Sequence, residues 1–279
     1  MRAYDLAIQN FAIAEHLLQL YQLFRDLRPY DPGKPFELAV CERLELASGS
    51  ALHHAKNDNL LCSVKATVPL PSCLTANEGL NFLLRQAVLV ASAALESFFW
   101  DVLRENVLTI IRAKGRKADE SLRNITLTLD DYLSLEGYGD PDVRLQQIIL
   151  NRFERGTLYD TSKIDEIAKI FVVRDFWGEI TKLTGVQATE LRGRLNGLVL
   201  RRNLIVHRAD RPDDSTPPED IDAHGLRIMS YAWANTHVTT AQSFVSASSD
   251  VFKKAIEQLE LIISQREEQK LAQATLSST

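Results

Sequence analysis

The chain has 279 residues, enough to bury a large core in one domain or in two modest ones. Its 32 Lys and Arg against 37 Asp and Glu give a net charge of −5. This balance excludes nucleic-acid binding through bulk positive charge, so any site for a polyanion has to be local. Because only 12 Gly and 9 Pro interrupt a chain that is 45% hydrophobic, the composition favours long helices.

The first 75 residues predict two helices separated by a linker. Apolar residues recur at helical spacing over 4–27, and the linker over 28–35 contains three prolines. A second helix is predicted over 36–57. The prolines within 68–72 forbid a helix and indicate a loop or a short edge segment.

Three cysteines, at 41, 62 and 73, are odd in number and lack the Cys-x-x-Cys spacing. This pattern fits neither a disulfide framework nor a zinc knuckle, and it predicts the reducing environment of the cytoplasm. The N-terminal residues lack the apolar stretch of a signal peptide. The most hydrophobic window, over 82–100, contains Arg85, Gln86 and Glu96, so we expect a buried helix and no membrane span.

The rest of the chain is also predicted to be helical. The longest helical pattern begins near a cap at 76–78 and ends at about 112. Shorter helices are expected over 126–185, interrupted by the glycines of 137–141 and by Gly156. Further helices are predicted over about 189–207, 220–235 and 239–270, with a proline-rich loop over 210–218.

The helix that ends at His207 contains the main local contradiction of the sequence. At 100° per residue its apolar residues share one face, and Arg202 falls near the centre of that face. A guanidinium is costly there unless an acid or a phosphate meets it. The apolar residues are Leu191, Leu195, Leu198, Val199, Ile205 and Val206.

Asn203 and His207 are four residues apart and lie on the flank of this face. Arg202 and His207 are about 140° apart around the helix. They meet one small target only if the Arg side chain swings round, if the helix end distorts, or if two copies of the helix meet across a two-fold axis. With 32 basic residues and 6 His, about 0.7 matches to this spacing arise by chance, so a structural Arg beside a capping His is the alternative.

The run from Arg202 to His207 resembles the Arg-x4-His signature of HEPN domains, and the longer run from Leu200 to Asp210 is similar to their RiboL-PSP type. The helix that contains 94–99 resembles an early core helix of that family, and the helix over 238–263 resembles its last one. The resemblance implies an all-α, HEPN-type helical bundle. We expect a helical segment over 1–75 that packs on the bundle, a HEPN-like domain over 76–270 with a helical insertion at about 120–187, and a frayed tail over 271–279.

The same resemblance implies a metal-independent endoribonuclease of a toxin or anti-phage defence system, without a cofactor. Arg202 and His207 would be its catalytic pair, and Asn203 would orient the scissile phosphate or the imidazole. The expected partners are an RNA substrate, a second copy in a homodimer with a composite site, and an antitoxin or another defence protein. The alternative is a non-catalytic HEPN dimer that acts as a scaffold or as a nucleotide-binding regulator.

Other side chains near the motif are secondary candidates. Glu96 could pair with Arg202 or orient His207, or it could be a solvated flank residue. Arg201 and Arg208 could bind RNA phosphates, or they could offset the helix dipole. Members of the family that a nucleotidyltransferase modifies carry a Tyr two residues after the His. That position is Ala209 here, which argues against this regulation. No His pair has the spacing of metal ligands.

Overall fold

The computed structural model of the chain describes residues 2–25, 27–29, 34–46, 49–54, 61–64, 79–153, 161–222 and 224–277. The secondary structure of these residues is mainly helical, which confirms the predicted all-α class. The helices are α1 (Arg2–Phe24), α2 (Lys34–Arg43), α3 (Asn81–Lys114), α4 (Glu120–Arg123), α5 (Leu129–Glu136), α6 (Pro141–Phe153), α7 (Thr161–Ile170), α8 (Phe176–Thr184), α9 (Ala188–Arg208) and α10 (Tyr231–Ser277). The strands are β1 (Arg28–Pro29), β2 (Ala51–His54) and β3 (Leu61–Val64).

The chain divides into two compact units, and each is discontinuous in sequence. Unit 1 consists of Met1–Phe11, Ala91–Leu200 and Thr239–Thr279. Unit 2 consists of Ala12–Val90 and Arg201–Val238. The domain boundaries predicted above stay a prediction, and the expected boundary after residue 75 lies outside the described residues, as do the loop over 68–72, Cys73, the cap at 76–78 and Gly156.

Unit 1 contains a cluster of buried aromatic side chains. The ring of Phe252, on α10, is fully buried and lies 4.7 Å from the ring of Phe171 and 5.5 Å from that of Phe176, measured between centroids. Such pairs add about 0.5–1.5 kcal/mol each to the burial of their apolar surface. The other members of the cluster are Phe98, Phe99, Trp177 and Phe244.

Unit 2 contains the first turns of α3, whose apolar residues follow the helical spacing that the sequence predicts. Leu80, Leu84, Ala87 and Val88 are at most 1% exposed. Among the described residues, α3 is the one helix long and apolar enough to cross a membrane, and most of its apolar window is buried inside the protein. A buried core helix can have the same length and the same apolar composition as a membrane span.

The predicted helix over 36–57 is wrong beyond α2. Glu45 adopts a left-handed backbone with φ +52°, and the N–H of Leu46 donates to the carbonyl of Cys41 at 2.8 Å, which closes the helix. The chain then forms a small antiparallel sheet in the order β1-β2-β3. Local periodicity missed these strands because they are short and because β1 pairs with a strand that is distant in sequence.

The predicted break between residues 235 and 239 is also wrong, because α10 is continuous from Tyr231 to Ser277. The rings of Trp233 and His237, four residues apart, stack at 3.8 Å, and Nδ1 of His237 lies 2.8 Å from the carbonyl oxygen of Trp233. Contacts at this spacing support a helix through the stretch where the sequence suggested a break. The helix also continues beyond residue 270, where the tail was expected to fray.

Candidate functional site at the end of α9

The apolar face of α9 is buried over only part of the helix. Leu191, Leu195, Leu198 and Val199 are at most 6% exposed. Beyond them the burial fades, and Val206 is 51% exposed. The prediction that Arg202 lies at the centre of a buried apolar face is therefore wrong, and its side chain is half-buried at the edge of the protein.

The structure brings two of the predicted site residues into direct contact. Nη1 of Arg202 donates to Oδ1 of Asn203 at 2.9 Å. Since Asn203 lies between Arg202 and His207 around the helix, this hydrogen bond turns the guanidinium towards the side of α9 that carries His207. This is the direction of the swing that the sequence offered as one of three ways for Arg202 and His207 to meet one target.

His207 is exposed, one turn beyond Asn203. Its imidazole has no hydrogen-bond partner in the part of the chain that the structure describes. An exposed imidazole beside an oriented guanidinium can exchange protons with a ligand that binds from solvent. Arg202, Asn203, Val206 and His207 together form one side of the last turns of α9, which we call the motif face.

Arg201 lies on the opposite side of α9 from the motif face, although it precedes Arg202 directly. Its side chain is 16% exposed, and Nη2 donates to Oδ2 of Asp210 at 2.9 Å. The same nitrogen lies 2.9 Å from the carbonyl of Arg227 and 3.1 Å from that of Ile228. The residue predicted to bind RNA phosphates thus has a carboxylate and two main-chain carbonyls as partners inside unit 2.

Asp210 and Arg85 form the centre of this buried cluster, which sequence analysis missed. The side chain of Asp210 is 0% exposed, and its Oδ2 accepts from Nε of Arg85 at 2.7 Å. Arg85 also donates through Nη2 to Asp222 at 3.1 Å and to the carbonyl of Arg227 at 2.9 Å. One available signal was Arg85 itself, a charged residue within an apolar helix that has to find a partner.

The chain turns sharply after α9. Ala209 and Asp210 both have left-handed backbones, with φ +51° and +59°. The N–H of Asp210 donates to the carbonyl of Leu204 at 3.0 Å, which closes the last turn of the helix. For residues other than glycine this backbone costs roughly 1–2 kcal/mol each, so the contacts of Asp210 have to offset it.

Arg208 is half-exposed, and its Nη1 lies 3.5 Å from Oδ2 of Asp213. That oxygen also accepts from Nη2 of Arg227 at 2.8 Å. Hydrogen bonds from the hydroxyls of Ser215 and Thr216 lower the pKa of Asp213 to about 2. Burial opposes them with a smaller effect, and the charge of Arg227 adds a still smaller lowering. Asp213 therefore stays ionised, and it holds Arg208 less closely than it holds Arg227.

Asp222, the second acid on Arg85, is also held in its charged form. Burial raises its pKa, but the N–H of Leu226, the guanidinium of Arg85 and the N–H of His224 together outweigh burial and lower the pKa below its ordinary value. The two buried acids thus have different partners: Asp210 binds Arg85 and Arg201, whereas Asp222 binds Arg85 and main-chain N–H groups.

Glu96 lies on α3 within unit 1 and is half-buried. Its role as an orienting acid stays a prediction. Across the described ranges, no group of three or more His, Cys, Asp or Glu side chains is arranged to hold a metal ion.

A known protein family matches the part of the chain that contains this site. The family model RiboL-PSP-HEPN matches residues 57–229, which include α3, α9 and the buried cluster. The chain belongs to this family. The match confirms the resemblance that the Arg-x4-His motif suggested, whereas most of α10, including the expected last core helix over 238–263, lies beyond the matched residues. A search of curated proteins and a search of solved structures each gave no match. Membership in the HEPN family supports a ribonuclease-like or nucleotide-related function.

Proposed function

We propose that this HEPN protein is a metal-independent endoribonuclease, and that it serves as a toxin or an anti-phage effector in the cytoplasm. The observation that carries the proposal is the motif face. Its Arg202 is oriented by Asn203, and its His207 is open to solvent at the Arg-x4-His position of the family.

The chemistry uses a nucleophile that the RNA supplies. His207 accepts the proton of a ribose 2′-hydroxyl while the 2′-oxygen forms a bond to the adjacent phosphorus and the bond from phosphorus to the 5′-oxygen breaks. The leaving oxygen takes up a proton, so the products end in a 2′,3′-cyclic phosphate and a 5′-hydroxyl. Arg202 donates to the phosphate oxygens and stabilises the negative charge that develops on them.

We place this reaction at a composite site in a homodimer. Arg202 and His207 are about 140° apart on one helix, so two motif faces that meet across a two-fold axis can surround one phosphate better than a single face can. Such a dimer also supplies two imidazoles, one to accept and one to donate a proton. The exposed Val206, at the middle of the motif face, provides apolar surface for the contact.

The positive charge for RNA comes from a small set of residues, since the net charge of the chain is −5. We propose that Arg202 of both protomers binds the scissile phosphate and that the half-exposed Arg208 binds phosphates farther along the strand. Arg201 holds the end of α9 through Asp210 in this proposal and does not bind phosphate.

The test is cleavage of a labelled RNA in EDTA by the wild type, His207→Ala and Arg202→Ala. We expect the wild type to leave 2′,3′-cyclic phosphate ends. Removal of the proton-transfer group should lower kcat by about 10²–10⁴-fold, and removal of the guanidinium by about 10²–10³-fold. His224→Ala and Arg174→Ala are matched controls, since both residues are exposed and lie outside the motif face; their rates should stay within about threefold of the wild type.

A folded, dimeric wild type that leaves every RNA intact would contradict the proposal. The non-catalytic alternative, a HEPN scaffold or nucleotide-binding regulator, would then stand. Equal loss of activity in the two matched controls would show that the variants report on folding and not on the motif face.

A further inference from the structure

We propose that Asp210 is a positioning residue for the reaction, because it fixes the last turn of α9 and thereby the place of His207. This inference rests on the proposed function. It assigns Asp210 a role through other groups, without contact with the RNA.

The first step is that Asp210 is held at three points. Its carboxylate accepts from Arg85 and Arg201. Its N–H donates to the carbonyl of Leu204 at 3.0 Å, and its own carbonyl accepts from the N–H of Arg227 at 3.0 Å. Side chain and main chain are therefore both fixed, and all these partners belong to unit 2.

The second step is that these contacts maintain a strained backbone. Two successive residues without the freedom of glycine, Ala209 and Asp210, have positive φ angles. Such a conformation persists only where the surroundings determine it strongly, and outliers of this kind concentrate at functional sites. Here the surroundings are two guanidiniums, of Arg85 and Arg201, on one fully buried carboxylate.

The third step is that His207 depends on this backbone. Its imidazole is exposed and has no hydrogen-bond partner among the described residues, so no hydrogen bond of the ring fixes its position. What sets it is the main chain of the last helical turn, which the hydrogen bond between Asp210 and Leu204 closes immediately after His207. A shift of about 1 Å in a reacting group can lower a rate about 10²-fold.

Asp222 offers a matched control. It is a second buried carboxylate on the same Arg85, but its contacts are with Arg85 and with the main chain of the loop at 224–226, and not with Arg201 or with α9. Asp210→Asn and Asp222→Asn each remove one ion-pair partner of Arg85 and keep the size of the side chain. Because Asn adopts the left-handed backbone more readily than most residues do, Asp210→Asn also permits the turn.

The experiment compares steady-state RNA cleavage and hydrogen exchange for the wild type and both variants, at a temperature where all three are folded. For Asp210→Asn we expect kcat to fall by about 10- to 100-fold with KM changed less than about threefold, and faster exchange of the amides at 207–210. For Asp222→Asn we expect kcat within about threefold of the wild type and unchanged exchange at 207–210. If Asp210→Asn does not fold, Arg201→Lys takes its place, since lysine keeps the charge but lacks the planar fork.

Two results would overturn the inference. One is a folded Asp210→Asn with wild-type kcat and wild-type exchange at 207–210; the other is the same loss in both variants, which would indicate general destabilisation. A wild type that cleaves no RNA would refute the proposed function instead. The exchange data would then still show whether Asp210 fixes the end of α9.

Discussion

Two consecutive arginines in α9 have different partners, and the difference follows from the 100° that separates neighbours on a helix. Arg201 binds the buried carboxylate of Asp210, whereas Arg202 lies on the motif face with Asn203. Charge alone therefore does not identify the residue that meets a substrate. The kind of partner gives more information, because a carboxylate and two main-chain carbonyls hold the guanidinium of Arg201 within unit 2.

At the residue scale, Asp213 predicts a specific dependence of stability on pH. Its pKa in the folded protein is about 2, below the ordinary value of 3.8, so the unfolded chain binds the proton more tightly. The stabilisation from this carboxylate is therefore fully present above about pH 4 and is lost as the pH falls towards 2. Urea unfolding between pH 5 and 2 should show a decline in the wild type that is smaller in Asp213→Asn. Parallel declines for the two proteins would contradict the assignment.

At the scale of an element, the end of α7 shows how a helix can be stopped without glycine. Val172 follows Phe171 with φ +61°, and its N–H donates to the carbonyl of Lys169 at 2.8 Å. The next residue, Val173, donates to the carbonyl of Ala168 at 3.0 Å, so the motif that usually places glycine after a helix is complete. A β-branched residue is an outlier in this conformation.

We therefore expect Val172→Gly to stabilise the protein. The substitution relieves the left-handed backbone, which costs an L-residue roughly 1–2 kcal/mol. The greater flexibility of glycine in the unfolded chain offsets about 0.5–1 kcal/mol of this gain. The loss of buried apolar surface is small, because the side chain of Val172 is 44% exposed. The net gain should be about 0.5–1 kcal/mol in the free energy of unfolding, measured with urea. Val173→Gly is the control and should destabilise, because its φ is not positive; a loss of stability in both variants would show that Val172 is not strained.

At the scale of the whole molecule, the proposed activity depends on how two chains combine. If the site is composite, the residues of each protomer can compensate for a loss in the other. A site built within one chain has no such property. The two arrangements therefore predict different cleavage activities for a mixture of two inactive variants.

We expect a mixture of Arg202→Ala and His207→Ala to recover cleavage that neither variant has alone. In an equal mixture that has exchanged subunits, roughly half of the dimers contain one intact Arg202 and one intact His207 at the shared interface. The measurement is the cleavage rate of the mixture before and after subunit exchange, with sedimentation to confirm the dimer. A mixture that stays as inactive as its parts would show that one Arg202 and one His207 from different chains do not form a working site.

The sequence predicted the elements whose pattern is local. α9 was expected over 189–207 and occupies Ala188–Arg208, because the spacing of its leucines is a property of the helix itself. The sheet and the continuity of α10 were missed. Both depend on contacts, between strands and between Trp233 and His237, that outweigh weak local preferences.

The site was predictable at the motif and less so around it. Arg202, Asn203 and His207 are close in sequence, so helix geometry placed them correctly relative to one another. The pairing of Arg85 with Asp210 joins residues that are 125 positions apart, and no local pattern shows it. For the same reason the sequence suggested a buried Arg202, whereas the arginine with the buried carboxylate is its neighbour Arg201.

Ala209 has one further consequence, for how the proposed activity could be restrained. The residue is exposed in a left-handed turn, two positions after His207, and its methyl group offers no oxygen to which a nucleotide could be attached. A larger side chain would not stabilise this exposed, left-handed turn, so the turn favours a small residue at that position. If the proposed activity is restrained, a nucleotide attached to the side chain at this position is therefore not the means.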